Sequence, residues 1–391
     1  MTVIRSRRVL VFNAGSSSLK FALFEGLERT WHGQVEGLGA RPRFEFRRGA
    51  EREERDLPPE TRHAAALGAI LDSLEAHGAE LGELDACGHR IVHGGSRFVA
   101  PMLVDDAHLG ELHALRALAP LHNRYGLDAI DAIRAAAPTL AQVACFDTAF
   151  HSTVPAVAAR YALPAELDAA GYRRFGFHGL NFEHVTAALA ARSGGVPPSR
   201  LLVFHLGNGC SIAAVRDGHS VATTMGYSTL DGLVMGTRSG AIDPGVLIAL
   251  QRDRGMDVAA VEQLLYRESG LLGLSGRSSD MRELLAADDA AARFAVEHFC
   301  YWAARHAGSL VVALGGLDAV AFSGGIGSGS AAVRARIIAH LHWLGLALDP
   351  ARNARGDAAI EAAGSLPVAV VAADEELAIV RHVYATLGVA P

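Results

Sequence analysis

The sequence predicts an α/β fold built from two related halves, and three observations lead to this prediction. Short apolar strands alternate along the chain with Ala/Leu-rich helical segments, which is the pattern of layered α/β proteins. An apolar hairpin near the beginning of the chain recurs near its middle. The length of 391 residues is sufficient for two compact domains.

The first hairpin covers residues 8–23, where an apolar strand, a Gly/Ser turn and a second apolar strand follow one another. Residues 200–215 repeat this pattern, and six of the sixteen aligned positions are identical. Small and polar residues at both tips expose backbone N–H groups that suit anions. The two copies favour a duplicated fold with two phosphate loops facing one cleft; the alternative is coincidence between two buried strands.

The alternation of strands and helices continues through the rest of the chain. Helical periodicity covers residues 62–77, 106–119, 126–136 and 181–191, and strands are predicted at 88–92 and 142–146. Residues 41–60 are dense in Arg and Glu, as in a solvated hairpin and loop. A strand at 368–372 leads to the acidic residues 374–376 and a final helix. We expect a domain boundary near residues 146–155.

Composition excludes several classes of protein. The formal net charge of −6 argues against partners that are nucleic acids or anionic membrane surfaces. No apolar run approaches the length that spans a membrane. The four cysteines form no C-x-x-C pair, so neither a zinc site nor a disulfide framework is expected. We therefore expect a cytoplasmic protein with reduced thiols, without nucleic-acid or membrane partners.

Motifs of P-loop, dinucleotide-binding and protein-kinase enzymes are absent. What remains is a set of cationic residues beside Gly turns, including Arg90, His178 and Arg238. Lys20, the only lysine among 36 basic residues, follows the first Gly/Ser turn. Asp147 follows a predicted strand, at the edge where ligands gather in α/β sheets. Phosphoryl transfer requires such convergent cations, because the migrating group carries spread negative charge.

Each of these residues also has a structural interpretation. Arg90 would then be an exposed arginine at the end of a strand, and His122 would be a structural residue after a helix that ends at a proline. The acidic cluster containing Glu375 would serve only the dipole of the helix that it begins. The individual motifs do not decide between these interpretations and a catalytic site.

The motifs occur in order along nearly the whole chain, and together they resemble the acetate and propionate kinase family. They lie at residues 9–21, 90, 122–123, 147, 178, 205–209, 236–240, 279–282 and 374–377. The resemblance implies a duplicated ribonuclease H-like fold, shared by actin, Hsp70 and sugar kinases, with two domains around a nucleotide cleft. Residues 1–147 plus 375–391 would form an N-terminal acyl kinase domain, and residues 148–374 a C-terminal nucleotide-binding domain.

The same resemblance implies the reaction and its components. ATP and acetate would be interconverted with ADP and acetyl phosphate, with Mg²⁺ or Mn²⁺ as the metal. The partners would be a small carboxylate substrate and a nucleotide, and the chain would form a homodimer.

The resemblance also assigns roles to individual residues. The catalytic residues would be Arg90, Asp147, His178 and Arg238. ATP would be bound by Ser16, Ser18, Lys20, His205, Leu206, Gly207, Asn208, Gly209, Asp280, Met281, Arg282, Gly325, Ile326, Gly327, Ser328 and Gly329. The acid would contact Arg90, Val92, Leu121, His122, Phe177 and Thr229. Asn13 and Glu375 would hold the metal.

Chemistry refines the expected role of Asp147. Acetate is already an anion at neutral pH, so it needs no base to become a nucleophile. We therefore expect Asp147 to orient a cation or a metal-bound water rather than to transfer a proton. A sugar kinase, by contrast, typically needs a carboxylate base for its neutral hydroxyl acceptor.

Two departures from the family pattern bear on specificity. Thr229 stands where the family has a Pro in the acyl pocket, and Ser328 and Gly329 replace Glu and Asn in the nucleotide loop. One methylene of an acyl chain contributes only ~1–3 kcal/mol of discrimination. The alternatives to acetate kinase are therefore a propionate or other short-chain acyl kinase and a catalytically weakened ATP-binding homologue.

Overall fold

The chain forms alternating strands and helices, and a computed structural model describes residues 7–15, 18–119 and 123–391. The strands are β1 Arg8–Ala14, β2 Ser18–Glu25, β3 Glu28–Glu36, β4 Arg43–Arg48, β5 Glu51–Asp56, β6 Ala86–Ile91, β7 Met102–Leu103, β8 Ala141–Phe146, β9 Arg200–Leu206, β10 Cys210–Arg216, β11 His219–Thr223, β12 Ala319–Ser323 and β13 Val368–Val370. The helices are α1 His63–Ala76, α2 Asp106–Ala114, α3 Asn123–Ala136, α4 Ala156–Ala159, α5 Ala165–Ala169, α6 Gly179–Arg192, α7 Pro244–Arg254, α8 Val258–Arg267, α9 Gly270–Ser275, α10 Met281–Ala286, α11 Ala290–Leu314, α12 Gly324–Gly329, α13 Ala331–His340, α14 Pro350–Arg355 and α15 Glu375–Leu387.

The chain divides into two compact units. The N-terminal unit comprises Met1–Phe150 and Asp374–Pro391, so helix α15 belongs to the same unit as the N-terminal part of the chain. The C-terminal unit comprises His151–Ala373. The acyl kinase and nucleotide-binding roles assigned to the two parts of the sequence remain predictions.

The sheet of the N-terminal unit has the strand order β5-β4-β3-β2-β1-β6-β8-β7. Its strands β1, β6 and β8 are parallel, and β2 pairs with β1 in the antiparallel direction. Strand β1 is apolar and buried over almost its whole length because helices cover both faces of the parallel part of a sheet. The carboxyl ends of β1, β6 and β8 therefore lie at one edge of this sheet.

Helices cover the two faces of the parallel strands. Side chains alternate along a strand, so Leu10 and Phe12 pack in one cluster with apolar residues of α1 and α3. The opposite face of the sheet packs against α15. Because Gly88 has no side chain, Ile379 and Val383 of α15 can pack closely against β6. Close contact with β6 thus fixes the position of α15, whose first residue is Glu375.

The sheet of the C-terminal unit has the order β11-β10-β9-β12-β13. Strands β9, β12 and β13 are parallel, whereas β10 and β11 are antiparallel to their neighbours. This arrangement repeats that of β3-β2-β1-β6-β8 in the first sheet. The hairpin β9–β10 occupies the positions that the aligned repeat predicts from β1–β2. The structure therefore confirms the predicted duplication.

Two predicted elements differ from the structure. The helix predicted at 106–119 ends at Ala114, because the Leu115 carbonyl accepts a hydrogen bond from the Asn123 side chain at 2.8 Å and a short 3-10 turn follows. The predicted nucleotide loop, residues 325–329, is helical and belongs to α12. Gly324 turns the chain out of β12 with φ 78°, and the Ser328 hydroxyl donates to its carbonyl at 2.7 Å.

Helix α11 crosses beneath the second sheet and contacts β9, β10 and β11. Its 25 residues carry Arg, Glu and His at several positions. Across the part of the chain that the structure describes, no helix combines the length and the apolar character needed to cross a membrane.

Replacing Gly88 by Ala is expected to destabilise the N-terminal unit. The added Cβ would lie 2.5 Å from Ile379 Cγ2 and 2.9 Å from Val383 Cγ2, so α15 must shift. Such overpacking costs about 1–3 kcal/mol of unfolding free energy and lowers the urea midpoint. Gly68→Ala is the control, because nothing lies within 4 Å of its added Cβ in α1 and the midpoint should stay or rise. An unchanged midpoint for Gly88→Ala would show that α15 is not held in this position.

Candidate active site

Arg90 lies at the centre of a polar cluster at the carboxyl edge of the first sheet. Its Nε donates to Asp147 Oδ1 at 2.9 Å and its Nη2 donates to Asp147 Oδ2 at 2.6 Å. Asp147 directly follows β8, and Arg90 is near the end of β6. Parallel strands end at the same edge of a sheet, which is why residues so distant in sequence form this two-point ion pair.

Asn13 links Arg90 to the first turn of α15. Asn13 Oδ1 accepts from Arg90 Nη1 at 2.9 Å, and Asn13 Nδ2 donates to Glu375 at 2.8 Å and to Glu376 at 3.0 Å. Asp374 caps the helix by accepting from the Leu377 N–H at 2.9 Å. Glu375 is therefore favoured by the helix dipole and also contacts the predicted site residue Asn13. The sequence did not lead to a predicted site role for Glu376, although this residue belongs to the acidic cluster 374–376.

The charge of this cluster is negative overall. Burial opposes the charged form of Arg90, but Asp147 and Glu375 outweigh it and raise its pKa above the usual value. The Arg90 guanidinium faces three carboxylates, those of Asp147, Glu375 and Glu376. Such an excess of negative charge suits a divalent cation.

The donor set fits Mg²⁺ only together with a phosphate ligand. Within residues 7–15, 18–119 and 123–391, no group of three or more His, Cys, Asp or Glu side chains is arranged to hold a metal ion. Mg²⁺ usually keeps several waters and takes one or two carboxylates plus substrate phosphates. The carboxylate of Glu375 and the amide oxygen of Asn13 are hard oxygen donors of this kind.

The described part of the first hairpin adjoins this cluster. Lys20 is directly opposite Asn13 in the β1–β2 pairing, and directly opposed side chains lie on the same face of a sheet. The Gly15 N–H donates to the Ser18 carbonyl at 2.8 Å, and His63 Nε2 bonds the Gly15 carbonyl at 2.8 Å. The backbone of Gly15 is thus held by α1. Ser16 lies outside the described residues.

The predicted acid-binding residues fall in both units. Val92 is buried just after β6, whereas Leu121 and His122 lie outside the described residues. The neighbouring Asn123 is buried, and its side chain pairs with both the N–H and the carbonyl of His93 at 2.9 Å. This positioning role of Asn123 was not predicted. The sequence feature that could have indicated this role is the position of Asn123 directly after the predicted site residue His122.

A second cluster, in the C-terminal unit, brings His178, His205 and Arg238 together. His178 precedes α6 with φ 60°, a left-handed conformation that is rare for a non-glycine residue. Its Nδ1 bonds the Ser211 hydroxyl at 2.8 Å, and its ring stacks on His205 with centroids 4.2 Å apart. A Cβ on Gly209 would lie 3.0 Å from His178 Nε2 and 3.3 Å from Arg238 Nη2. Only glycine leaves this space open.

Arg238 is a partly buried cation with a neutral partner. Its Nη1 donates to the Thr229 carbonyl at 2.7 Å, and it makes no salt bridge within the described part of the chain. Burial lowers its pKa, but the ordinary pKa of arginine is so high that the guanidinium stays charged. Thr229 contacts Arg238 through its backbone oxygen, which a proline would also supply. The geometry therefore suits an anion beside Gly209.

His151 fixes the backbone that precedes His178. Its Nε2 donates to the Phe177 carbonyl at 3.0 Å, and its Nδ1 bonds the Ser220 hydroxyl at 2.8 Å. Gly176 turns the chain here with φ 77°, and a Cβ on it would lie 2.6 Å from the His151 ring. Burial lowers the pKa of His151 to about 4, so the ring is neutral at pH 7. Phe177 is itself buried.

A cavity of about 730 Å³ lies in the C-terminal unit, within the size range of small-molecule sites. Of the predicted nucleotide residues, those lining it are Gly207, Asn208, Asp280, Met281, Arg282, Gly325, Ile326 and Gly329. Its walls also include Ser279, Leu285, Ala286 and Ser330, which were not predicted. Leu285 was detectable in principle, because it lies one turn after Met281 on α10.

The other predicted nucleotide residues of this unit do not line the cavity. His205 and Gly209 lie against His178, and Leu206 is fully buried. Gly327 and Ser328 direct their carbonyls to the buried side chain of Arg334. Asp280, which does line the cavity, also caps α10 and pairs with Arg282, whose Nη2 donates to it at 2.6 Å.

Replacing His151 by Gln is expected to weaken the acid sensitivity of the fold. The pKa of His151 falls from 6.5 to about 4 on folding, so the native chain binds fewer protons than the unfolded chain between these values. The contribution of the neutral His151 to the free energy of unfolding is therefore complete above pH 6.5. As the pH falls towards 4, this contribution is lost by up to ~1.4 kcal/mol per pH unit. The urea midpoint of His151→Gln should therefore change less steeply between pH 6.5 and 4.5.

The exposed His219 provides the control, since His219→Gln should keep the wild-type slope. Equal slopes for His151→Gln and the wild type would contradict a neutral, buried His151. Some dependence of the urea midpoint on pH should remain in His151→Gln, because burial also lowers the pKa of His89 to about 4.

Comparison with known proteins identifies the family. The acetokinase family model matches residues 8–381. An acetate kinase of Rhodopseudomonas palustris strain TIE-1 is 46% identical over 388 residues, which cover 96% of this chain and 97% of that protein. An acetate kinase of Nitrobacter hamburgensis is 45% identical over 393 residues, or 97% of this chain and 96% of that protein.

Solved structures agree with this result. A propionate kinase from Francisella tularensis superimposes with a TM-score of 0.90 at 36% identity, covering 96% of this chain and 98% of that chain. The acetate kinase of Porphyromonas gingivalis gives a TM-score of 0.88 at 33% identity, covering 98% of this chain and all of the other (100%). The predicted fold class is confirmed, and the chain belongs to the acetokinase family.

Proposed function

We propose that the chain is an acetate kinase, which reversibly transfers the γ-phosphoryl group of ATP to acetate and forms acetyl phosphate and ADP. Membership of the acetokinase family supports this activity. The structural observation that carries the proposal is Arg238, a cation next to Gly209 and His178 that pairs with no carboxylate among the described residues. A charge withdrawn from water is costly unless it is compensated, so this arrangement favours an anionic ligand.

His178 and Arg238 would stabilise the transferred phosphoryl group. Catalysis of phosphoryl transfer depends mainly on positioning and on stabilising spread negative charge. Ser211 and the stacked ring of His205 hold the imidazole of His178 in one orientation. A donor fixed before the reaction needs no reorganisation when charge develops.

Arg90 would bind the carboxylate of the acceptor. A guanidinium has five N–H groups, and the hydrogen bonds to Asp147 and Asn13 use three of them. Since Nη1 also lies 3.4 Å from Glu375, the second N–H of Nη2 is the donor that would serve an anion while Asp147 holds the guanidinium plane. Since acetate needs no deprotonation, we propose that Asp147 orients Arg90 rather than acting as a base.

Mg²⁺, or Mn²⁺ in its place, would neutralise charge on the nucleotide phosphates when bound. Asn13 and Glu375 are the residues that would hold it. Ser16, Ser18 and Lys20 would contact phosphate at the first hairpin, as would residues 205–209 at the second. The cavity bounded by α10 and α12 would take the nucleoside. Family resemblance further supports a cytoplasmic location and a homodimer as proposals.

Propionate is the second candidate substrate. A solved propionate kinase shares this fold over nearly the whole chain. In addition, Thr229 replaces the Pro that the family pattern predicts as a contact of the acyl group, for which Val92, Leu121 and Phe177 are the other predicted apolar contacts. A difference of one methylene would change kcat/KM by only about 10–200-fold.

Acyl phosphate formation, trapped as the hydroxamate, tests the proposal directly. Purified protein is incubated with ATP, Mg²⁺ and acetate, propionate, butyrate or glycerol in parallel. We expect product with acetate and propionate and none with glycerol. Absence of acyl phosphate from every acid would exclude an acyl kinase, whereas a propionate kcat/KM well above that of acetate would assign the chain as a propionate kinase.

Arg238→Ala is expected to lower kcat by about 10²–10³-fold, the usual effect of removing one preorganised donor. Arg254→Ala is the matched control, since Arg254 is exposed near the end of α7 and should leave kcat unchanged. A near-normal kcat for Arg238→Ala would refute the role of this cation in stabilising the phosphoryl group.

A further inference from the structure

Arg334 is among the largest side chains that are fully buried, with 1% of its surface exposed. It belongs to α13, and its guanidinium makes hydrogen bonds in two directions. Nη1 donates to the carbonyls of Gly327 and Ser328 at 2.9 and 2.8 Å. Nε and Nη2 donate to the side chain and the carbonyl of Asn353 at 2.8 and 2.7 Å. All these acceptors are neutral oxygen atoms.

Within the residues that the structure describes, Arg334 makes no salt bridge. Burial lowers its pKa, which shows that the surroundings oppose its charge. A hydrophobic residue at this position would avoid that desolvation. The hydrogen bonds of a buried arginine to backbone carbonyls therefore need an explanation other than fold stability alone.

The explanation is the low intrinsic stability of helix α12. Four of its six residues are glycines, which are poor helix formers, and a helix this short does not form by itself. Gly327 and Ser328 are near its C-terminal end, where backbone carbonyls lack partners within the helix. Arg334 supplies donors to these carbonyls, with the charge sign that the C-terminal end of a helix favours.

We propose that Arg334 is a positioning residue for the nucleotide site, which acts by fixing α12. Gly325, Ile326 and Gly329 of α12 line the 730 Å³ cavity, whereas Arg334 does not reach it. The proposal rests on the nucleotide role proposed for this cavity. The chemistry of phosphoryl transfer is not involved, so the consequence is confined to nucleotide affinity.

Asn353 extends the support to a further helix. It is buried in α14, and its Nδ2 donates to the Ala331 carbonyl at 2.9 Å. Arg334 is thereby tied to α14 on one side and to α12 on the other. A lysine would keep the charge, but its three N–H groups on a flexible stem do not reproduce a planar fork with four acceptors. Arg334→Lys thus separates the fork from the charge.

The first test compares Arg334→Lys with the matched control Arg336→Lys. Arg336 lies two residues further along α13 and is exposed, with one long hydrogen bond to the Ala332 carbonyl at 3.3 Å. Deuterium exchange of the peptide covering α12 is measured by mass spectrometry without substrates. We expect faster exchange of α12 in Arg334→Lys and no change in Arg336→Lys. This readout remains interpretable even if the chain has no kinase activity.

The second test measures steady-state kinetics. We expect Arg334→Lys to raise the KM for ATP about tenfold, while the KM for acetate and kcat stay within about twofold of wild type. A misfolded enzyme would instead lose kcat without this split between substrates. Asn353→Ala, which keeps Arg334 but removes one of its anchors, should shift the KM for ATP in the same direction.

Wild-type exchange of α12 in both Arg334→Lys and Asn353→Ala would overturn the proposal. An unchanged KM for ATP despite faster exchange would also overturn it, because α12 would then be ordered by Arg334 without consequence for the nucleotide. Absence of activity in the wild type would reject the proposed function, and the exchange result would still show whether Arg334 fixes α12.

Discussion

Asp147 is 99% withdrawn from solvent, and its carboxylate is held by a two-point ion pair with Arg90. A buried carboxylate demands such a partner, and the meeting of parallel strand ends supplies it here. The same guanidinium then orders Asn13, and Asn13 orders the first turn of α15. The return of the chain's last helix to its first strand is thus tied to this ion pair. The proposed metal and acceptor sites both depend on it.

Duplication of the fold has produced two edges of opposite character. In the aligned hairpins, Asn13 at the end of β1 corresponds to His205 at the end of β9. The first edge gathers carboxylates around one arginine, whereas the second gathers His178, His205 and Arg238, and no carboxylate of the described ranges contacts Arg238. One topology therefore supplies an acidic site suited to a cation and a cationic site suited to phosphate. This division of charge matches what phosphoryl transfer to a carboxylate requires.

Periodicity and repetition were enough to predict the duplicated sheets, because strand burial and hairpin tips are local properties of the sequence. Arg90, Asp147 and Arg238 were identifiable because strand ends and Gly turns mark where ligands bind. Ser211, Asn123 and Arg334 were not identified, since their partners lie elsewhere in the sequence and only the folded chain brings them together. The helical form of α12 was missed because its glycines predict a loop, and the buried Arg334 outweighs that preference.

The claim that Asp147 orients Arg90 rather than transferring a proton is tested most directly by Asp147→Asn. An amide accepts through only one of its two polar atoms, so the two-point hold on Arg90 is lost while the shape is kept. The rate of acetyl phosphate formation is measured as a function of pH and of Mg²⁺ concentration. We expect a reduced kcat, a higher Mg²⁺ concentration at half-maximal rate and a pH profile that keeps its shape. A lost limb of the pH profile with an unchanged Mg²⁺ requirement would contradict this account and identify Asp147 as a base.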